Sequence, residues 1–420
     1  MTHSQILSLL HKEVIPAIGC TEPVAVALCV ARAKEILGKE PDAITVHLSK
    51  NIYKNAMAVG IPNTGMVGLP IAIALGATIG KSEYQLEVLR DTNPQTVAYA
   101  KQYMQRVPAT IQVDMEAPDV LYIHAVVEAD GRTAEATIQG SHTHFLEDNE
   151  CKNGTQRQEN AKPEFAELTL REVFDYAVTA ELEDIRFLLD GAKMNKAAAE
   201  TSFRGCYGHG LGNLLHSGKV NSVFGDTAFT HILSYTCGAC DARMSGAMVQ
   251  VMSNSGSGNQ GISCSVPVYI YALEHNATEE QTIRALTLSN LTAIYIKQSL
   301  GRLSALCGCV VASSGSACGI TYLMGGGYEE MTYAIKNMIA NISGMICDGA
   351  KPGCALKVTS GVATAVLSAS LAMQHSHADA IEGIVEEDID RTIHNLTRIG
   401  HDGMTQTDDL ILDIMTHKKN

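Results

Sequence analysis

The sequence predicts an α/β amino-terminal domain followed by a mainly α-helical domain, which makes an α+β protein overall. Runs rich in β-forming residues and a hairpin signal fall in the first third of the chain, whereas long stretches with helical spacing follow later. A polar stretch between them, residues 147–163, is typical of a linker. We therefore divide the chain into residues 1–160, the α/β domain, and residues 161–420, the helical domain.

The first strong element of the α/β domain is a helix. Thr21 can cap its amino terminus, with Glu22 and Pro23 in the first turn. The apolar run that follows ends at Gly38, and glycine is the residue that commonly terminates a helix. The sequence therefore predicts a helix over most of the interval from Thr21 to Gly38.

Three strands are predicted after this helix. Residues 44–48 have the composition of a strand, and so do residues 120–128 and 132–138. The last two are joined around Asp130-Gly131, which is a strong signal for a type I′ hairpin. The α/β domain should therefore contain a sheet with at least one antiparallel pair.

The second domain shows helical periodicity. Residues 164–195 and 279–300 have amphipathic spacing, and residues 328–343 are a third candidate. Glycine-rich segments should separate the helices, because glycine weakens a helix interior. These segments are residues 205–212, 256–261, 325–327 and 349–353.

Composition excludes several classes of function. A net charge of −14 argues against nucleic acid and against an anionic membrane surface as partners. Residues 303–327 carry no charge, but their serines and glycines make a buried helix a better prediction than a membrane span. The twelve cysteines, in a chain without a secretion signal, indicate reduced thiols in the cytoplasm and therefore metal binding or catalysis.

Four cysteines in the second domain indicate a metal centre. Cys307 and Cys309 flank one glycine, and Cys347 and Cys354 lie in a Gly/Pro segment about forty residues later. Such thiols can hold a [4Fe–4S] cluster with three ligands and one iron open to substrate. The alternative is that they are small buried apolar side chains, and the spacing alone leaves both interpretations open.

Cys20 is a candidate of a different kind. It precedes the predicted helix start, where the partial positive charge of the helix amino terminus should favour a thiolate. A thiolate there could act as general base or nucleophile. A structural cysteine beside a helix cap is the alternative.

Two polar segments are further candidates. The Gly/Ser/Asn segment with Asn254, Ser257 and Asn259 could bind a carboxylate or phosphate through its N–H groups and amides, although it is equally compatible with a connecting loop. His142 and His144 fall at i and i+2, on the same side of a strand, and could assist proton transfer. A solvated strand end is the alternative for the two histidines.

The ordered set of motifs resembles the L-cysteine desulfidase family, which is related to the iron–sulfur L-serine dehydratases. The resemblance spans essentially the whole chain, and the set is far more specific than any single motif. Its parts are residues 18–23 (IGCTEP), 51–55 (NIYKN) and 255–261 (SGSGNQG), Cys307-Gly308-Cys309, and the segment with Cys347 and Cys354.

The resemblance implies a pyridoxal-independent lyase that converts L-cysteine to pyruvate, ammonia and hydrogen sulfide. It implies a [4Fe–4S] cluster with three cysteine ligands and one open iron. The ligands would be Cys347, Cys354 and either Cys307 or Cys309, of which spacing favours Cys307. Cys20 would be the catalytic base. We expect substrate contacts from Thr21, Glu22, Asn254, Ser257, Asn259 and His142.

Two other functions stay open at this point. An iron–sulfur L-serine or L-threonine dehydratase would use the same cluster, although those enzymes have a Ser-His-Thr stretch where this chain has Cys20-Thr21-Glu22. A non-catalytic iron–sulfur or thiol sensor would instead depend on Cys237 and Cys240, which form a C-x-x-C motif. The expected partner is a small amino-acid substrate, with no nucleic acid and no membrane, and a homo-oligomer is compatible with the sequence.

Overall fold

A computed structural model describes residues 1–146 and 168–418 of the chain. The predicted linker, residues 147–163, lies outside the described residues. In the first range the helices are α1 (His3–Glu13), α2 (Thr21–Leu37), α3 (Lys50–Ala56), α4 (Leu69–Thr78) and α5 (Pro94–Arg106), and the strands are β1 (Pro16–Ile18), β2 (Ala43–Ser49), β3 (Thr110–Asp114), β4 (Tyr122–Ala129) and β5 (Arg132–Gln139).

The four longer strands form one sheet in the order β3-β2-β4-β5. Strand β2 runs parallel to β3 and antiparallel to β4, and β4 and β5 form the predicted hairpin. Asp130 and Gly131 have φ angles of 51° and 71° at its turn, the left-handed region that a type I′ turn requires. Helix α2 packs over this sheet, and α4 packs against α2, around a core of aliphatic side chains.

Helix α2 confirms one predicted boundary and corrects the other. It ends before Gly38, which takes the left-handed conformation (φ 82°) and donates its N–H to Lys34 O. The predicted cap, Thr21, is instead the first helical residue. Cys20 occupies the N-cap position and makes no capping hydrogen bond.

The second range is mainly helical, so the predicted α+β class is confirmed. Its elements are α6 (Leu170–Thr179), α7 (Leu182–Ile185), α8 (Phe187–Phe203), α9 (Leu211–His216), α10 (Asn221–Phe224), α11 (Ala228–Met244), β6 (Gln250–Met252), α12 (Gly258–Glu274), α13 (Glu279–Leu300), α14 (Gly308–Leu323), α15 (Tyr328–Ile342), α16 (Cys354–Ala372), α17 (Ile389–Arg398) and α18 (Thr405–Thr416).

Two predicted glycine breaks lie at helix starts, residues 256–261 and residues 349–353. Helix α12 begins at Gly258, so residues 256–261 are a turn followed by a helical first turn, not one connecting loop. Cys354 is likewise the first residue of α16, whereas Cys347 lies before it in an extended segment. Residues 349–353 therefore separate two helices as predicted, whereas residues 256–261 contain the start of a helix.

The amino-terminal residues connect the two predicted domains. Ile6, Leu9 and Leu10 of α1 are buried in the core of the helical part, not in the core of the sheet. Strand β1 pairs with β6 in an antiparallel ribbon, with Pro16 opposite Met252. The ribbon and α1 therefore hold the sheet part against the helical part directly beside Cys20.

Two apolar helices bear on the membrane question. Helix α14, within the uncharged stretch 303–327, is buried over most of its length, as predicted. Among the described residues, α16 alone has the length and apolar composition that a membrane span needs, and core helices of soluble proteins meet the same criteria.

Candidate active site

The sheet part and the helical part enclose a cavity of about 100 Å³, here called the thiol-lined cavity. Residues from both parts form its wall, although they come from positions spread over the whole chain. It collects nearly all the residues that the sequence singled out. These are Cys20, Thr21, Glu22, His142, Ser257, Asn259, Cys307, Cys309, Cys347 and Cys354.

Four helices begin at the wall of this cavity. Cys20, Ser257 and Cys307 are the N-cap residues of α2, α12 and α14, and Cys354 is the first residue of α16. The partial positive charges of four helix amino termini therefore face one small volume. Helix amino termini favour a bound anion, although burial outweighs this effect for the thiol of Cys354 and raises its pKa to about 11.

Cys20 and Glu22 form a hydrogen-bonded pair at the start of α2. The Cys20 thiol donates to Glu22 Oε2 at 3.1 Å, and the Thr21 hydroxyl and Asn55 Nδ2 also donate to this carboxylate. Burial and then the Glu22 charge raise the pKa of Cys20 well above its usual value. The helix amino terminus therefore does not by itself offset the effects of burial and of Glu22 on the Cys20 thiol. Glu22 is instead positioned to accept the thiol proton.

A short strand-like pairing brings the later cysteines together. Cys307 N–H donates to Met345 O, and Cys347 N–H donates to Ala305 O, so residues 305–307 run beside residues 345–347. The sulfur atoms of Cys307 and Cys309 are 3.2 Å apart. That contact lowers the pKa of Cys307 and raises the pKa of Cys309, because one thiol donates to the other sulfur.

The thiols fit a cluster better than a single ion. In the described part of the chain, no three His, Cys, Asp or Glu side chains are grouped closely enough for one metal ion. A [4Fe–4S] cluster binds each thiolate through a different iron, so its ligands stand further apart. Cys347, Cys354 and one of the adjacent Cys307 and Cys309 supply three such thiols at one cavity, and the helix amino termini around it suit the negative charge of a cluster.

The two histidines do not share a side. Both follow the end of β5, and His144 is exposed whereas His142 is buried in the wall of the cavity. A solvated strand end is therefore wrong for His142. Burial lowers the pKa of His142 to about 4, and its Nε2 has no hydrogen-bond partner among the described residues. His142 is thus a neutral imidazole at the cavity.

The candidate residues of the Gly/Ser/Asn segment lie in different positions relative to the cavity. Asn254 does not line the cavity; its amide donates to Asn290 and accepts from Ser255. The structure therefore places Asn254 as support for the turn and not as a substrate contact. Ser257 and Asn259 do face the cavity, and Asn259 Oδ1 accepts a hydrogen bond from Arg243.

The sequence reasoning missed the cations of this site. Arg243, Lys297, Arg302 and Lys357 line the cavity, each from a different segment. Arg302 pairs with Glu13 and Lys357 with Asp348, while burial lowers the pKa of Lys297 to about 8. The available signal was a charged residue at the end of an otherwise apolar helical run, as at Arg243 and Lys297.

The family assignment rests on sequence comparison. Residues 83–413 match the family described as serine dehydratase alpha chain. This range contains every cysteine of the cavity except Cys20. The chain belongs to the serine dehydratase alpha-chain family. This family consists of iron–sulfur lyases, so the predicted relation to iron–sulfur dehydratases is confirmed, and the narrower desulfidase assignment stays a prediction.

Within this family, similar proteins match along their whole length. The UPF0597 protein of Phocaeicola vulgatus is 59% identical over 424 residues, covering 99% of this chain and 98% of the relative. That of Bacteroides thetaiotaomicron is 58% identical over 419 residues, with coverage of 99% and 98%. That of Oleidesulfovibrio alaskensis is 43% identical over 422 residues, again covering 99% and 98%. The printed names of these relatives state no reaction.

The C-x-x-C motif lies outside the thiol-lined cavity of this family member. Cys237 and Cys240 sit within the continuous helix α11 and are fully buried. Burial raises the pKa of Cys237 to about 12 and raises that of Cys240 as well. Thiols held in the neutral form in a helix interior have neither the exposure nor the thiolate character of a redox motif.

Proposed function

We propose that this protein is a pyridoxal-independent iron–sulfur lyase that converts L-cysteine to pyruvate, ammonia and hydrogen sulfide. One observation supports the proposal above all others. The Cys20–Glu22 pair and the thiols of Cys307, Cys309, Cys347 and Cys354 face the same cavity. A proton acceptor and a cluster-binding set therefore lie close enough to act on one small substrate.

The cluster would be held by Cys347, Cys354 and one of Cys307 or Cys309. We propose Cys307, because the hydrogen bond between the two sulfur atoms favours its thiolate. When bound, the cluster would supply a Lewis-acidic iron that assists departure of the leaving group. Cys309 would then be the thiol that donates to the Cys307 sulfur.

The protein residues would carry out the proton transfers. Glu22 would accept the proton of Cys20, and the resulting thiolate would take the α-proton of the substrate. The positive charge of Arg243 favours this ionised form of Cys20. Loss of the α-proton and of hydrosulfide leaves 2-aminoacrylate, which tautomerises to an imine and hydrolyses to pyruvate and ammonia. The other polar groups of the wall, Thr21 and neutral His142, would orient the substrate.

The deciding experiment is anaerobic reconstitution with iron and sulfide, followed by an assay with L-cysteine. We expect equal amounts of hydrogen sulfide and pyruvate, dependent on iron and lost in air. A reconstituted protein that carries a cluster but releases neither product from L-cysteine would contradict the proposal.

An L-serine dehydratase is the second candidate. The family description names serine, and the same cavity would serve a hydroxyl leaving group. Comparison of kcat/KM for L-cysteine and L-serine separates the two reactions. A value at least tenfold higher for L-serine would make the dehydratase the better assignment.

The free thiols also bear on the compartment. All cysteines of the described residues are unpaired, and the cavity depends on at least four of them. Unpaired thiols persist in a reducing environment. We therefore propose a cytoplasmic location for the reaction.

A further inference from the structure

The guanidinium of Arg243, at the end of α11, has no counter-charge among the residues that the structure describes. The side chain is 2% exposed and lines the thiol-lined cavity. Its Nη1 donates to Asn259 Oδ1 at 3.0 Å, which is a neutral acceptor. Its Nε and Nη2 have no hydrogen-bond partner in the described part of the chain. These two atoms form one edge of the planar group.

Two other arginines near the core, unlike Arg243, form ion pairs with carboxylates. Arg302 makes a bidentate pair with Glu13, at 2.7 and 2.8 Å, and Arg284 pairs with Glu280. Arg243 forms no ion pair among the described residues, although it is the more deeply buried. Burying a charge without a partner is strongly unfavourable, because the charge loses its hydration and gains no compensating interaction. A retained, unpaired guanidinium therefore indicates a partner that arrives from outside.

None of the described groups that face Arg243 serves as its anionic partner, so we expect a ligand to do so. Before the Cys20 proton is transferred, the thiol donates its hydrogen bond to Glu22 and His142 is neutral, so neither group supplies a full negative charge to Arg243. The carboxylate of Glu22 is already engaged by Cys20, Thr21 and Asn55.

The backbone of Gly258 lies close to the guanidinium of Arg243 and leaves no room for a side chain there. A Cβ atom on Gly258 would stand 2.3 Å from Nε and 2.8 Å from Nη2. Gly258 is also the first residue of α12, so a helix amino terminus lies next to the guanidinium. A planar fork of N–H donors beside a helix amino terminus is suited to a carboxylate.

We propose that the Nε–Nη2 edge of Arg243 binds the α-carboxylate of the amino-acid substrate. The inference deepens the proposed function and rests on it, because it takes the substrate to be an α-amino acid. The Arg243 charge acts on Cys20, so a carboxylate held here would bring the substrate's α-carbon near the proton acceptor. Its side chain is then free to point toward the late cysteines.

The test measures binding and does not depend on turnover. The reconstituted protein is titrated with L-alanine, which has no leaving group, and with L-alaninamide, which lacks the carboxylate. We expect the wild type to prefer L-alanine by about 10- to 100-fold, since a hydrogen-bonded charge contributes roughly 1.5–3 kcal/mol. In Arg243→Gln this preference should fall to about one. Arg284→Gln, which removes a guanidinium far from the cavity, should keep it.

A second variant covers the case in which Arg243→Gln does not fold. Gly258→Ala leaves Arg243 in place and puts a methyl group against its Nε. It should also reduce the preference for L-alanine. The proposal is overturned if the wild type shows no preference for the carboxylate, or if the preference survives both substitutions. If the preference depends on Arg243 but no substrate is turned over, the proposed reaction fails and the carboxylate site stands.

Discussion

At the scale of single residues, the reactive properties of this protein come from environment and not from residue type. Twelve cysteines are present, and those of the described residues range from the exposed Cys206 to the fully buried Cys264. Cys20 differs from the other buried thiols because a carboxylate accepts its hydrogen bond. Cys29 is equally buried, but its thiol donates to backbone carbonyls in the sheet core.

Replacement of Cys20 should separate catalysis from cluster binding. We expect Cys20→Ala to lower kcat by about 10²- to 10⁴-fold, the usual contribution of a general base, with unchanged iron and sulfide content. Iron analysis and the pyruvate assay on reconstituted protein measure both. Cys29→Ala removes a thiol of similar burial outside the cavity and should retain activity. Loss of iron in Cys20→Ala would instead show that Cys20 contributes to holding the cluster.

His142 should make the protein acid-sensitive. Its pKa in the folded protein is about 4, below the value of roughly 6.5 in an unfolded chain. Between these values the unfolded chain takes up a proton that the native state does not, so stability falls as pH decreases from about 6.5 to 4. The loss should reach about 3 kcal/mol.

Urea denaturation at pH 7 and pH 4.5 measures this dependence. His142→Gln should lose less stability between the two pH values than the wild type does. His144→Gln changes an exposed imidazole and should behave like the wild type. An identical pH dependence in His142→Gln and wild type would rule out His142 as the source.

At the scale of elements, the carboxy-terminal helix α18 supports the segment that contains Cys347. Asp408 of α18 accepts hydrogen bonds from Asn51 and Lys54 of α3, and the Lys54 ammonium also donates to Cys347 O at 3.4 Å. Gly349 approaches the same place closely, because a Cβ there would stand 2.4 Å from Lys54 O. The buried ion pair thus lies directly behind the segment that positions Cys347.

Breaking this pair should destabilise the protein strongly. We expect Asp408→Asn to lower the free energy of unfolding by about 3–5 kcal/mol, because it leaves the buried Lys54 ammonium without its anion. Asp409→Asn is the matched control, since the Lys50–Asp409 pair is more exposed and should cost about 0–1 kcal/mol. Chemical denaturation of both variants measures these two changes in the free energy of unfolding. Equal effects would mean that burial of the Lys54–Asp408 pair does not matter.

At the scale of the whole molecule, the cavity exists only where the sheet part and the helical part meet. Cys20 and Glu22 come from the helix that covers the sheet, whereas Cys307 and Cys354 open helices of the second part. The β1–β6 ribbon and α1 fix the two parts together. Any group bound across three segments should therefore stabilise the assembled molecule.

Cluster loading should raise the thermal stability. A ligand that binds only the native state stabilises it by mass action, and the thiols joined here lie up to 47 residues apart (354 − 307). We expect a higher Tm after anaerobic reconstitution, by several degrees, and a return to the metal-free value after oxidation and chelation. Cys354→Ser should show little of this increase. A Tm that is the same with and without iron would contradict cluster binding at these thiols.

Much of the fold was accessible from the sequence because local signals determined it. The hairpin at Asp130-Gly131 and the end of α2 at Gly38 follow from backbone conformations that few residues adopt. The exact start of α2 at Cys20–Thr21 could not be predicted in this way, since either of two adjacent residues can take the N-cap position. The packing of α1 onto the helical part could not be predicted either, because the apolar face of an amphipathic helix does not identify the element that it packs against.

For the site, the sequence by itself determined the chemistry available: late thiols in small-residue segments, a thiol at a helix start, and a polar turn. Only the tertiary structure decided which of these meet. It placed Asn254 behind the turn, separated His142 from His144, and brought Arg243 to the cavity. The physical reason is that the burial of a side chain and the charges around it depend on contacts between distant segments. The local sequence does not determine these contacts.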